Sequence, residues 1–132
     1  MPDANAPSRV RHVFVYGTLR PGDLRWRFLA PFVVDDGWFD SVPGQLFDTG
    51  LDYPAAVFND VGTISGHTFG LLDESSDRAL DALDEIEGVV EGGFARVMVR
   101  TARGVDAWAY AGGAGLELTL IESGDWFIHR PV

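Results

Sequence analysis

Residues 10–22, VRHVFVYGTLRPG, contain the stretch that decides the fold. The segment alternates at first and then becomes continuously apolar at Val13, Phe14 and Val15, which predicts a strand. This strand ends at Gly17, and the residues after it have turn-forming chemistry. A glycine there lets the backbone approach a ligand closely and can direct consecutive N–H groups at one anion, although an ordinary tight turn explains the same pattern.

Short strand signals fill most of the remaining chain. They cover residues 33–48 as strand, turn and strand, then 55–58, 63–72, 94–101 and 105–111, with an amphipathic stretch at 116–121. The segments 94–101 and 105–111 are expected to form a hairpin through residues 102–104.

Helix signals are fewer. One helix is predicted to begin at the capping cluster Ser75, Ser76 and Asp77 and to end before Gly88, and a shorter one is expected over residues 24–29. Many short strands with glycines at the bends, together with few helices, predict an α+β fold. Its form is a small mixed β-barrel with flanking helices.

The length and charge of the chain limit its organisation and its partners. At 132 residues we expect residues 1–9 to be a flexible tail and residues 10–132 to be a single domain. The net charge of −10 argues against binding to nucleic acid or to an anionic membrane. No apolar run has membrane-spanning length and the start is too polar for a signal peptide, so a cytoplasmic location is expected.

Missing residue types exclude several kinds of chemistry. All 10 basic residues are arginines, so a phosphate-loop lysine and a Schiff-base lysine are both excluded. There are no cysteines, which excludes disulfides, thiol nucleophiles and thiolate metal sites. The histidines are far apart in the sequence, and we expect neither a metal nor another cofactor. Carboxylates, hydroxyls, arginines and backbone amides remain as candidate functional groups.

A helical wheel of the longer helix sets Glu87 apart from the other acids. With Ala79 at zero, the apolar side chains cover an arc from about 300° through zero to about 100°. Asp81, Asp84 and Glu85 fall outside this arc, which predicts that they face solvent. Glu87 falls at about 80°, within the apolar arc.

The wheel position of Glu87 has a chemical consequence. Partial burial and the negative end of the helix dipole both disfavour its ionised form and raise its pKa. A glutamate tuned toward neutrality can accept and return a proton at physiological pH. The alternative is a frayed last turn in which Glu87 is solvated, because helix ends are uncertain by a residue or two.

Taken together, these segments resemble the γ-glutamyl cyclotransferase-like family, which includes γ-glutamylamine cyclotransferases and avirulence-induced plant proteins. The resemblance rests on residues 13–22 (VFVYGTLRPG), on residues 83–88 (LDEIEG) with Phe94 and Arg96 after them, on Tyr110 in a late strand, and on residues 123–126 (SGDW). The order and spacing match across nearly all of the chain after its tail.

The resemblance implies a function as well as a fold. It implies a small mixed β-barrel with flanking helices that needs no metal or organic cofactor, with Glu87 as the catalytic residue. It also implies a substrate-binding loop and further pocket residues, which are Tyr16, Gly17, Thr18, Leu19, Phe94, Arg96 and Tyr110. Arg96 is either a partner for a substrate carboxylate or an exposed strand arginine, and Tyr110 either lines the pocket or belongs to the core. Trp126 and Phe127 are expected to pack and close the barrel.

One residue departs from the family pattern. The family usually has tyrosine where this chain has Phe94, so a hydroxyl that could bond substrate or carboxylate is missing. This change either redirects substrate preference or marks a weakened enzyme.

The enzyme expected from the resemblance is a transferase- or lyase-type γ-glutamyl cyclotransferase that acts on a small γ-glutamyl compound and releases 5-oxoproline. Its leaving group is an amine or amino acid, a lysine isopeptide, or an antibiotic intermediate that carries a γ-glutamyl protecting group. The alternative from another class is a non-catalytic ligand-binding or regulatory module that keeps the pocket. A glycosidase using Glu85 and Glu87 is disfavoured because the wheel directs the two carboxylates apart.

Overall fold

The computed structural model describes residues 10–17, 26–49, 54–72, 76–86, 94–112 and 119–129. The strands of this part of the chain are β1 (His12–Val15), β2 (Trp38–Pro43), β3 (Gln45–Asp48), β4 (Pro54–Val57), β5 (Thr63–Gly70), β6 (Phe94–Arg100), β7 (Asp106–Gly112) and β8 (Thr119–Ile121). The α-helices are α1 (Trp26–Leu29), α2 (Ser76–Ile86) and α3 (Trp126–His129), and a 3₁₀ helix, Ala30–Phe32, follows α1 directly. The predicted α+β class is confirmed.

The strands form two sheets with β1 at the centre of the larger one. The five-stranded sheet has the order β2-β5-β1-β7-β6, and the three-stranded sheet has the order β4-β3-β8. Strand β1 is antiparallel to β5 and parallel to β7. A strand covered on both faces needs apolar residues at successive positions, which explains the continuous run at Val13, Phe14 and Val15.

The chain passes from one sheet to the other at Gly44. This residue alone separates β2 from β3, although the two strands belong to different sheets. A Cβ atom at Gly44 would lie 2.6 Å from the carbonyl oxygen of Val57, so only glycine fits between the sheets. The two sheets enclose a common interior as the predicted barrel would, but the described strands do not close into a complete barrel.

Two apolar clusters fill the two sides of the larger sheet. One lies under α1 and α2 and includes Val13, Val15, Phe69, Leu80 and Leu83. The other lies between the two sheets and includes Phe14, Tyr16, Leu46, Ile64 and Trp126. Because neighbouring residues of a strand point to opposite faces, β1 contributes to both clusters.

A buried carboxylate, Asp40, connects the edge of the larger sheet to the β6–β7 turn. The residue is only 8% exposed. It accepts hydrogen bonds from groups on β2, β5 and the turn: Trp38 Nε1 (3.1 Å), the Ser41 N–H (2.9 Å), Thr68 Oγ1 (2.9 Å) and the Arg103 N–H (3.3 Å). Burial by itself raises the pKa of Asp40, but hydrogen bonds from Thr101 and these neighbours outweigh it and lower the pKa below the usual 3.8.

The segment SGDW at 123–126 fastens the end of the chain to β5. Gly124 has φ +66°, and its carbonyl accepts a hydrogen bond from the Ser65 N–H at 2.8 Å. Asp125 then caps α3, because its Oδ1 accepts hydrogen bonds from the N–H groups of Phe127 and Ile128.

The capped helix α3 places its first residue, Trp126, in the cluster between the sheets, with Phe127 packed against the same cluster. The packing role predicted for both residues is confirmed.

Replacing Asp40 tests the carboxylate clamp. Asp40→Asn is expected to lower the free energy of unfolding at pH 7 by about 1.5–3 kcal/mol, because charge-assisted hydrogen bonds to a buried carboxylate are lost. Since the folded-state pKa lies below that of the unfolded chain, the difference from wild type is complete above the unfolded pKa and narrows as the pH falls through the folded pKa. Urea denaturation at several pH values measures this, with the exposed Asp81→Asn as control. A pH-independent difference contradicts the role of the charge.

Two alanine variants separate backbone strain from steric exclusion. Gly104 has φ +82° with no atom within 4 Å of an added Cβ, whereas a Cβ at Gly124 would lie 1.9 Å from the carbonyl oxygen of Thr63. Gly104→Ala is expected to cost about 1–2 kcal/mol for the left-handed backbone alone, and Gly124→Ala clearly more. Chemical denaturation compares the two variants. Equal losses contradict a tight contact between residue 124 and β5.

Candidate active site

The exit of β1 is packed closely against the start of β4. Gly17 is buried, and a Cβ atom at this position would lie 2.7 Å from Cδ and 2.8 Å from Cγ of Pro54. The glycine after the first strand therefore has a packing reason, because a side chain would displace the proline ring. The sequence prediction attributed it to close approach of a ligand. Thr18 and Leu19, the remainder of the predicted substrate loop, lie outside the described residues.

Tyr16 fixes the last residue of the β1 segment before this glycine. Its side chain is in the interior between the sheets, with its ring edge-on to Phe58 at a centroid separation of 6.3 Å. The hydroxyl donates a hydrogen bond to the carbonyl oxygen of Tyr110 on the neighbouring strand β7. Tyr16 therefore ties the end of β1 to β7.

Tyr110 extends this connection to α2. The residue is 3% exposed and belongs to the cluster beneath the helices, so its ring is part of the core. Its hydroxyl donates a hydrogen bond of 2.7 Å to Oδ1 of Asp84, in the last turn of α2. Tyr16, Tyr110 and Asp84 thus form a continuous chain of hydrogen-bonded residues from the exit of β1 to the end of α2.

Asp84 is not on the solvated face, where the helical wheel placed it. Its side chain is 18% exposed, and the same Oδ1 lies 3.0 Å from Nε of Arg96. The prediction was wrong because Asp84, at about 140° on the wheel, is only about 40° beyond Leu80 at the border of the apolar arc. An arginine and a tyrosine on the sheet below provide the partners that a carboxylate needs at such a border. Asp81 and Glu85 are exposed, as predicted.

Arg96 is held from two directions. It is opposite Tyr110 in the β6–β7 ladder, and its guanidinium carbon lies 4.7 Å from the centre of the Trp108 ring. Its side chain is 26% exposed. The sequence interpretation missed Trp108, although strand alternation puts residues 108 and 110 on the same face of the hairpin.

Phe94 begins β6 opposite Gly112. It is buried and packs in the same cluster as Leu83 and Tyr110. The aromatic ring that replaces the expected tyrosine is therefore a core residue beneath the last turn of α2.

Glu87, the predicted acid/base, lies outside the described residues, directly after the last residue of α2. Three residues separate it from Asp84 in the sequence. Within the described ranges, no three His, Asp or Glu side chains are grouped closely enough to hold a metal ion. Nor is any helix in these ranges long and apolar enough to cross a membrane.

A surface depression lies apart from these residues. It has a volume of about 250 Å³ and is bounded by β3, β8 and the turn before β5. Asp84, Arg96, Trp108 and Tyr110 are not among its lining residues.

Comparison with known proteins identifies relatives across nearly the whole chain. A family model described as "Gamma-glutamyl cyclotransferase, AIG2-like" matches residues 13–127. The γ-glutamylcyclotransferase family protein YtfP of Escherichia coli K12 is 37% identical over 117 residues, covering 86% of this chain and 94% of YtfP. These matches confirm the family that the sequence motifs indicated.

Solved structures agree with this result. The uncharacterised protein PH0828 of Pyrococcus horikoshii superimposes with a TM-score of 0.69 and 26% identity, covering 90% of this chain and 92% of that one. An AIG2-like protein of Mus musculus gives a TM-score of 0.60 at 14% identity, covering 94% and 92% of the two chains, which shows a common fold.

A double-mutant cycle tests the contact between Gly17 and Pro54. Gly17→Ala is expected to lower the free energy of unfolding by about 1–3 kcal/mol, because the added methyl group overpacks a buried site. In the Pro54→Ala background the same change is expected to cost less, since the obstructing ring is gone. Urea denaturation of the single and double variants measures the coupling. Strictly additive losses contradict direct contact.

Proposed function

The chain belongs to the γ-glutamyl cyclotransferase, AIG2-like family, and we propose that it is an enzyme that cyclises a γ-glutamyl amine or γ-glutamyl amino acid. The products are 5-oxoproline and the released amine or amino acid. The family match over residues 13–127 and the retention of both sequence motifs support this proposal.

The substrate of such a reaction brings its own nucleophile. Its α-amino nitrogen attacks the γ-carbonyl carbon, a new C–N bond closes a five-membered ring, and the bond to the leaving amine breaks. One proton must leave the α-ammonium group and one must reach the departing nitrogen. The enzyme has to hold the substrate folded and move protons, which suits a chain without lysine or cysteine.

Glu87 is the residue that we propose for proton transfer. As acid/base it takes the proton from the α-ammonium group and then delivers one to the leaving amine. Asp84 is a poorer candidate, because its carboxylate already accepts a hydrogen bond from Tyr110 and pairs with Arg96. A carboxylate committed to such partners is stabilised as an anion and resists protonation.

The hydrogen-bonded chain Tyr16–Tyr110–Asp84 is the observation on which the proposal depends most. It connects the residue before Gly17 with the last turn of α2, so the described ends of the two motif-bearing segments are held in a fixed relation. Backbone N–H groups of residues 17–19 then hold the substrate's α-carboxylate or stabilise the developing oxyanion.

A non-catalytic ligand-binding module is the second candidate, and Phe94 is the observation that favours it. The ring packs in the core, but the hydroxyl of the family's usual tyrosine is missing. A module of this kind binds 5-oxoproline or γ-glutamyl compounds in a calorimetric titration without turning them over.

Replacing Glu87 decides between the two candidates. Glu87→Gln is expected to lower the rate of 5-oxoproline release by about 10²–10⁴-fold, because the amide cannot exchange protons, while binding of γ-glutamyl compounds persists. The assay is chromatographic detection of 5-oxoproline from a panel of γ-glutamyl amines and amino acids. The matched control is Glu85→Gln, which removes an exposed carboxylate from the same helix end and is expected to retain wild-type rates. Wild-type rates in Glu87→Gln sink the mechanism.

A further inference from the structure

Arg96 is immobilised in a way that leaves most of its hydrogen-bonding capacity available. Asp84 engages Nε, and Trp108 covers one face of the guanidinium. A guanidinium has five N–H donors, of which this ion pair uses one. No other hydrogen-bonding partner of Arg96 lies among the residues that the structure describes. The terminal nitrogens can therefore bind an anion bidentately.

The position of Arg96 relative to β1 limits which anion this is. Strand β7 lies between β1 and β6, so Arg96 is two strand spacings, about 10 Å, from the strand that leads to Gly17. Under the proposed function the α-carboxylate of the substrate is held at residues 17–19. In a γ-glutamyl amino acid the second carboxylate is at the opposite end of the molecule, on the leaving group.

The electrostatic setting gives this cation a purpose. A chain with a net charge of −10 repels anionic substrates, so a substrate with two carboxylates needs a fixed positive group where its second carboxylate arrives. Arg100, on the same strand, is unlike Arg96: its side chain is 68% exposed, and it pairs with Asp106 at the far end of the hairpin.

We propose that Arg96 is a specificity-determining residue that binds the carboxylate of the leaving group, and that Asp84 is the residue that positions it. The chain then prefers γ-glutamyl amino acids to γ-glutamyl amines. This inference rests on the proposed function and adds the class of leaving group to it. Asp84 acts through Arg96, because an arginine tethered at Nε and stacked on Trp108 loses little side-chain freedom when it binds an anion.

A matched pair of substrates tests the proposal. γ-Glutamyl-alanine and γ-glutamyl-ethylamine differ only in the carboxylate of the leaving group. The quantity measured is the ratio of kcat/KM for the first to that for the second. Arg96→Met is expected to lower this ratio about tenfold to a hundredfold, mainly through KM for γ-glutamyl-alanine, since a hydrogen-bonded charge contact is lost.

Three further variants distinguish positioning from general damage. Asp84→Ala removes the tether and is expected to lower the ratio by a smaller factor, whereas Asp84→Asn keeps an oxygen acceptor and is expected to restore part of it. Arg100→Met, the matched control on the same strand, is expected to leave the ratio unchanged. Circular dichroism shows which variants keep the fold, and the ratio is internally controlled because both substrates meet the same enzyme.

The outcomes also separate this inference from the proposed function. If wild type releases 5-oxoproline but the Arg96→Met ratio equals that of wild type, the inference is overturned and the function stands. If wild type releases none from either compound, the proposed function fails, and isothermal titration with the same pair decides the inference. Tighter binding of γ-glutamyl-alanine that Arg96→Met abolishes supports it, whereas equal binding or none overturns it.

Discussion

The central strand β1 is paired along both edges and buried on both faces, and the rest of the molecule is arranged around this constraint. Its neighbours β5 and β7 run in opposite directions beside it. Its side chains alternate between the cluster under the helices and the cluster between the sheets. A strand in this position cannot shift register without moving apolar residues to the wrong face, so the point where it ends is fixed. Gly17, packed on Pro54, marks that point.

Local patterns predicted the elements of the fold well. The helix α2 and the β6–β7 hairpin were predicted within a few residues of their ends, because hydrophobic period, capping residues and turn chemistry agree there. The segment 33–48 was correctly divided into two strands, but nothing local shows that they belong to different sheets. That division depends on the contact between Gly44 and Val57, which are distant in the sequence.

The candidate site was predictable in its residue types but not in its connections. Motif resemblance selected Tyr16, Arg96 and Tyr110, yet a helical wheel treats α2 as though only water surrounded its polar side. It therefore assigned Asp84 to solvent, whereas the hairpin beneath supplies an arginine and a tyrosine hydroxyl. Asp40 was missed for the same reason. A lone aspartate in a strand has no local signature, and its partners come from β5 and a turn that follows 60 residues later.

The parallel pairing of β1 with β7 also has a consequence for biosynthesis. Val13 is aligned with Trp108, so the central strand gains its second neighbour only after most of the chain has left the ribosome. Until then the nascent protein presents an uncharged, β-prone segment with an open edge, which is the kind of surface that aggregates or recruits chaperones. A topology that places the first strand in the middle therefore makes folding a late, largely post-translational event.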